Sequence, residues 1–424
     1  MPKKMVAGQG EAVGGLGMTA LPTWQATGLS LAVIVGHVFN GSGALVFGLL
    51  SVGVIWTLHR LHAQAPRPRT TADLIASTPG AAPAQAIVVI QFVAYVLLGA
   101  YTAKSIASMA LVWMTNPDTT MPDWWGPALA VAAAAVGTVL VAALPTRLLA
   151  PTVTVLAAFG LLVFFYIALA VIARVLSGTA PVEPAMDFGT TPAAAEWGPA
   201  AILISLAIAF AGFEIPTAVS DRLRSVRRPL GGAMALVALS AALAWVATNL
   251  GSTGEFRYDA ADLVIIATQM FGDTGNKWLI AATIAQAVAA LLVLIWGATR
   301  AVRPPVANSP LPLAMTAVVM MMVTLAMSSG LGDAAAKLWG VAGILLLVVY
   351  VAAAHANSRL DDSNTTAWAV FALMGLVLVV VVFSRGASEG WWPIGIAAVI
   401  VGAAAAWAVK SERQSGKPKS LTTP

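Results

Sequence analysis

Residues 340–349 read Gly340-Val341-Ala342-Gly343-Ile344-Leu345-Leu346-Leu347-Val348-Val349, ten positions without a polar side chain. A strand of a membrane barrel alternates lipid-facing apolar residues with lumen-facing polar ones. No such alternation exists here, so the stretch predicts a helix. It sits inside an apolar run at 335–354, and about 20 residues suffice for one helical crossing of a bilayer. Working outward, further runs of this kind lie at 24–40, 44–62, 86–113, 126–144, 148–175, 198–219, 230–250, 276–299, 309–328, 366–384 and 391–409. The expected fold is an all-α integral membrane protein with twelve transmembrane helices.

Composition agrees. Of 424 residues, 59% are hydrophobic and only 10% charged, against roughly 25% charged in an ordinary soluble domain, and the mean hydropathy is +0.85. Such a chain lacks the polar residues to cover a globular surface, and the lipid bilayer is its expected partner. There is no cysteine, which excludes thiolate metal sites, cysteine nucleophiles and a disulfide-linked partner chain. The net charge of +5 does not imply nucleic acid here, because in a membrane protein the placement of Lys and Arg matters more than their sum. No compact apolar run with a small-residue cleavage site follows Lys3 and Lys4, so no removable signal peptide is expected. Loops are short, and neither GxxxxGK[ST] nor a GxGxxG in a strand-to-helix setting occurs, which argues against ATP-driven transport. No cofactor is expected.

The basic residues set an orientation. Arg60, Arg67, Arg69, Arg147, the Arg222–Arg228 group, Arg300 and Arg359 fall in alternate loops with the basic tails, while Asp118, Glu183, Glu255 and Asp333 fall in the others. The Lys/Arg bias predicts that both termini, 1–23 and 410–424, are cytoplasmic. The 251–275 segment is a long external connection whose periodicity from Tyr258 to Phe271 predicts a short surface helix.

Two spans carry residues that a lipid-facing helix avoids: Val35-Gly36-His37-Val38-Phe39-Asn40-Gly41-Ser42-Gly43 in the first, and Phe210-Ala211-Gly212-Phe213-Glu214-Ile215-Pro216 in the sixth. Gly and Pro there free backbone groups, which the hydrocarbon core tolerates only where they line a cavity or meet protein. Interruptions at corresponding places in two halves point to a transporter of inverted repeats with its binding site at the breaks. Gly15-Leu16-Gly17-Met18, followed by Pro22, is an alternative place for the first break and would move span one towards the N-terminus.

The segment Ala209-Phe210-Ala211-Gly212-Phe213-Glu214, with Asp221 and Arg227-Arg228-Pro229 after it, resembles the sixth-span signature of the amino acid-polyamine-organocation superfamily. Gly36-His37-Val38-Phe39 sits where that family has its Gly-rich first break, with His37 replacing a glycine, and Thr299-Arg300 sits where its eighth span ends. The layout is most similar to bacterial exporters of methionine and branched-chain amino acids. The resemblance implies a LeuT-like five-plus-five inverted repeat (24–175 and 198–354) with two additional helices (366–409), alternating access, and a location in the bacterial inner membrane. It implies a substrate site of Val35, Gly36, His37, Val38, Phe39, Phe210, Ala211, Gly212, Phe213, Glu214 and Ile215, whose backbone holds the carboxylate and ammonium of an amino acid.

Coupling or gating falls to Glu214, His37 and Lys104. An unpaired carboxylate at membrane depth costs roughly 2.5–3.5 kcal/mol, so Glu214 must be paired, hydrated or protonated. His37 is the interior side chain that titrates near neutrality. Lys104 lies about 13 Å inside the external end of span three at 1.5 Å per residue, where it either faces the cavity, within reach of Glu214, or snorkels outward. His59 and His62 lack a third ligand in sequence and read as a headgroup-facing cluster with Arg60. Residues 284–297 contain no Ser or Thr, which weakens a sodium site on span eight. A membrane-integral enzyme would need a catalytic cluster, and only His59, His62 and Asp73 offer one, without a nucleophile; a channel or scaffold subunit would not need charged residues at broken helices.

Overall fold

The computed structural model describes residues 22–35, 43–64, 70–78, 84–114, 122–177, 215, 228–233, 235–236, 239, 242–243, 246, 260–302, 311–329, 332–361 and 363–415. Eleven helices are defined within them: α1 (Thr23–Val35), α2 (Gly43–Gln64), α3 (Thr71–Ala76), α4 (Ala84–Met114), α5 (Trp125–Ala143), α6 (Thr146–Leu176), α7 (Ala260–Ala301), α8 (Leu311–Ser328), α9 (Gly332–Arg359), α10 (Thr365–Glu389) and α11 (Trp392–Ser415). No strand occurs among the described residues. Among the described residues, eight helices are long and apolar enough to cross a membrane. The run at 198–219 lies outside the described residues except for Ile215, and 230–250 is described only at scattered helical positions.

Three helices form the centre. α4 packs on α7 and α9, and both share it with α5, α8 and α11; α1 and α6 close on α7 from one side, while α2 and α10 close on α9 from the other. The residue pattern explains the layering. α4 is buried nearly all round, whereas α5 buries one stripe of small residues, Ala130, Ala134 and Gly137, at helical spacing. Its remaining faces carry exposed Val136 and Val139, as a lipid-facing helix should. α8 likewise buries Thr316, Met320, Thr324 and Met327 and exposes Val318, Met322 and Leu325.

Three buried threonine hydroxyls are satisfied within their own helices. Thr102 donates to the Leu98 carbonyl at 2.7 Å, Thr316 to Pro312 at 2.7 Å and Thr324 to Met320 at 2.7 Å, which removes the cost of an unpaired polar group in an apolar interior. Pro151 inside α6 removes one backbone bond close to the helix start, where few are lost.

Several boundaries differ from those read off the sequence. The helical segment expected at 258–271 begins at Ala260 and continues into the next span through Gly272, whose φ of 60° and ψ of −156° break the helix there. Only glycine adopts that backbone without strain. α9 runs past residue 354 to Arg359 because its polar end, Asn357 and Ser358, is buried in protein. α10 extends to Glu389 and stops at Gly390, with φ of 85°. α3 was not expected: a capping box starts it, with Asp73 N–H donating to Thr70 Oγ1 at 3.1 Å and Thr70 N–H to Asp73 Oδ2 at 3.0 Å.

Candidate functional site

Of the residues expected at the two breaks, Val35 is the last residue of α1 and Ile215 is described and buried. Gly36, His37, Val38 and Phe39, and Phe210, Ala211, Gly212, Phe213 and Glu214, lie outside the described residues. Ile215 is thus the one residue of the expected second break whose position in the bundle is described. Its Cδ1 lies 3.3 Å from where a Cβ on Gly297 of α7 would stand, and the Tyr95 ring of α4 lies 2.9 Å from the same point. Glycine at 297 lets an aromatic ring and an aliphatic tip converge on the α7 backbone.

Tyr95 is fixed from its own helix. Gln91 Nε2 donates to Tyr95 Oη at 2.8 Å, and both side chains are buried. Residues i and i+4 share a helix face, so α4 presents an amide and a phenol together toward α7. The surroundings are apolar: Ala94, Leu98, Leu294 and Ile295 are all buried. The phenol and the carboxamide are bonded to each other in a packed seam, with Ile215 and Gly297 close to the ring.

Below Gly297 the helix ends in Thr299 and Arg300. Thr299 donates to the Ile295 carbonyl at 2.8 Å and lies 3.5 Å from Thr316 of α8, while the Arg300 guanidinium stacks on the Trp296 ring with 4.6 Å to its centroid. Farther along α4, Tyr101 meets Trp339 of α9, ring centroids 5.6 Å apart.

Lys104 sits on α4 half-buried, about 13.5 Å along the axis from Tyr95 at 1.5 Å per residue. Its expected partner Glu214 is outside the described residues. In α7, Thr283 donates to the Leu279 carbonyl at 2.9 Å, and the polar side chain of the 284–297 stretch is Gln286, buried against Gly160 of α6. Among the described residues no group of three or more His, Cys, Asp or Glu could hold a metal ion.

The sequence reading missed Gln91, Tyr95, Gly297 and Arg385. A Gln four residues before a Tyr inside an otherwise apolar span was the available signal for the first pair, since lone polar groups at membrane depth are costly. Arg385 is 1% exposed on α10, seated where Gly340 of α9 leaves room for its guanidinium.

No protein-family model matches the chain, and no curated protein does. Among solved structures, it is similar to the crystal structure of the Eremococcus coleocola manganese transporter in complex with an aromatic bis-isothiourea substituted compound. The TM-score is 0.51 at 13% sequence identity, covering 94% of this chain and 98% of the other. At that identity the likeness is one of fold: a bundle of membrane-length helices.

Proposed function

We propose that this chain is a secondary active transporter of amino acids or amino-acid-like small molecules, working by alternating access. The observation that supports the reading is the seat of Ile215: the residue that follows Glu214 in the sixth apolar run is buried beside Gly297 of α7, where the Tyr95 ring of α4 also approaches. In this reading the chain has twelve spans arranged as a five-plus-five inverted repeat plus two helices, with both termini in the cytoplasm of a bacterial cell. Residues 35–39 and 210–215 hold the solute's carboxylate and ammonium through half-helix ends, where unsatisfied N–H groups suit an anion and free carbonyls a cation. The apolar flanks favour neutral hydrophobic amino acids, and export is the direction the family resemblance supports. Coupling is to protons or to exchange through His37 and Glu214, with Lys104 as a gating charge. Residues 284–297 of α7 carry no hydroxyl side chain, which supports independence from sodium.

A second reading is transport of a divalent metal ion, favoured by the manganese transporter of like fold. Ligand-dependent thermal stabilisation of the purified chain separates the two, since a ligand that binds the native state raises its apparent stability. A rise with leucine or methionine and none with Mn²⁺ supports the amino-acid reading. The opposite result replaces it with metal transport.

A further inference from the structure

α4 is buried at every position from Ala94 to Ala100 and opens along one face beyond it. Tyr101, Lys104 and Ser105 are half-buried and Ser108 is exposed, while Thr102, Ala103, Ile106 and Ala107 between them stay buried. The four opening positions stand at i, i+3, i+4 and i+7, which places them on one side of the helix. Exposure grows toward the Met114 end, so this face borders a recess that tapers inward. The inner end is aromatic: the Tyr101 ring meets Trp339 of α9, centroids 5.6 Å apart, and Trp339 is buried.

The chemistry of this face sets it apart from the lipid-facing ones. Toward hydrocarbon the bundle exposes Val136 and Val139 of α5 and Leu376, Val379 and Phe383 of α10, whereas the α4 face carries a phenol, an ammonium and two hydroxyls. Trp113, exposed near the end of α4, suits the aromatic belt at a membrane boundary, and Ser105 lies about 12 Å deeper at 1.5 Å per residue. A cation at that depth meets water or protein rather than lipid. The serine hydroxyls are already tied to their own helix, Ser105 donating to the Tyr101 carbonyl at 3.0 Å and Ser108 to the Lys104 carbonyl at 3.1 Å. Lys104 is the one charged residue of this 31-residue helix, and a single positive charge in a narrow recess with apolar walls draws anions in and keeps cations out.

We propose that Tyr101, Lys104, Ser105 and Ser108 line an aqueous vestibule, closed inward by the Tyr101–Trp339 pair, that admits solutes bearing a carboxylate and disfavours cations. It opens at the end of the bundle opposite the termini, which is external in the orientation that the Lys/Arg bias predicts. As the approach to a solute site the vestibule rests on the function proposed above; as a water-filled, anion-attracting recess it does not.

The chain has no cysteine, so single-cysteine variants of the full chain report on water access directly. Ser105→Cys and Ser108→Cys are compared with Val139→Cys, on the lipid-facing side of α5, in right-side-out membrane vesicles. The probes are two membrane-impermeant methanethiosulfonates, one anionic and one cationic, each rate divided by the rate of that reagent with a small free thiol. Positions 105 and 108 should react at least about tenfold faster than 139, because a thiol reacts as the thiolate and lipid suppresses it. At 105 the anionic reagent should be favoured over the cationic one, and Lys104→Gln in the same background should reduce that preference about fivefold, the size of effect a unit charge several ångströms away produces in water. Should Ser105→Cys not fold, Ser108→Cys at its exposed position carries both measurements. Labelling at 105 and 108 no faster than at 139, or a charge preference that survives Lys104→Gln, overturns the proposal. Leucine should slow labelling at 105; fast, charge-selective labelling that leucine leaves unchanged upholds the vestibule and counts against the amino-acid reading alone.

Discussion

Gly297 of α7 and Tyr95 of α4 touch so closely that a Cβ on residue 297 would stand 2.9 Å from the ring. The same Cβ would press on Ile215 at 3.3 Å, so one methyl group would have to displace an aromatic side chain held by Gln91 as well as a buried residue next to Glu214. Gly297→Ala should lower stability by about 1–3 kcal/mol, the usual cost of overpacking, and reduce transport further than that loss of folded protein explains. Thermal unfolding in detergent paired with uptake into proteoliposomes checks both; unchanged transport would detach the seam from the solute site.

Tyr95→Phe keeps the ring and removes the oxygen that accepts from Gln91. Leaving that buried amide short of a partner should cost about 1–3 kcal/mol. If the phenol also orients solute, apparent affinity falls while maximal rate holds; equal affinities would confine Tyr95 to a packing role.

Gly340 and Gly375 make a controlled pair. Both are helical, but a Cβ at 340 would overlap the Arg385 guanidinium, whereas one at 375 meets nothing within 4 Å. Alanine replaces helical glycine with a gain of roughly 0.5–1 kcal/mol where space allows. Gly375→Ala should therefore raise the unfolding midpoint and Gly340→Ala should lower it. Two shifts of the same sign would show that Arg385 yields freely.

This pair also marks what hydropathy conceals. Arg385 follows a run of Val, Leu and Phe, one residue after Ser384, and averaging over a span-length window hides one charge beside apolar neighbours. The central helices α4, α7 and α9 and the rim helices α5 and α8 were legible because their apolar runs exceed a bilayer's thickness. α3 is six residues long and too short to register as a span, although Thr70 and Asp73 at capping-box spacing announce it. Which span faces lipid is a tertiary property: Tyr95 and Gly297 are 202 residues apart, and nothing local to either predicts their contact. Of the expected substrate residues, only Val35 and Ile215 fall among those described, so the breaks themselves rest on sequence.

Asp361 gives a pH test outside the membrane-spanning segments. Hydrogen bonds from the Ser363 side chain and backbone, aided by the Arg60 charge, hold its carboxyl below the ordinary value. A group whose folded pKa is depressed contributes stability in full above its unfolded pKa, about 3.9 for Asp, and loses it as pH falls through the folded value. Asp361→Asn should therefore leave the thermal midpoint nearly level between neutrality and pH 5, yet make it less sensitive to acid below about pH 4. The side chain is exposed, so the effect is small, and an acid limb identical to wild type would contradict the linkage.

The coupling proposal yields the last prediction. Residues 284–297 of α7 carry no hydroxyl side chain, and the sequence places His37 and Glu214 at the two breaks. Transport should then respond to pH and ignore sodium. A proton can bias two access states only if it binds them with different affinity, and a carboxylate whose hydration changes between an open cavity and a closed apolar seam meets that condition. Glu214→Gln should flatten the pH profile of transport in proteoliposomes while leaving the unfolding midpoint near that of wild type, and His37→Asn should flatten it less completely. Uptake that requires a sodium gradient, or a Glu214→Gln variant with the wild-type pH profile, would remove protons as the coupling ion through these residues and leave exchange.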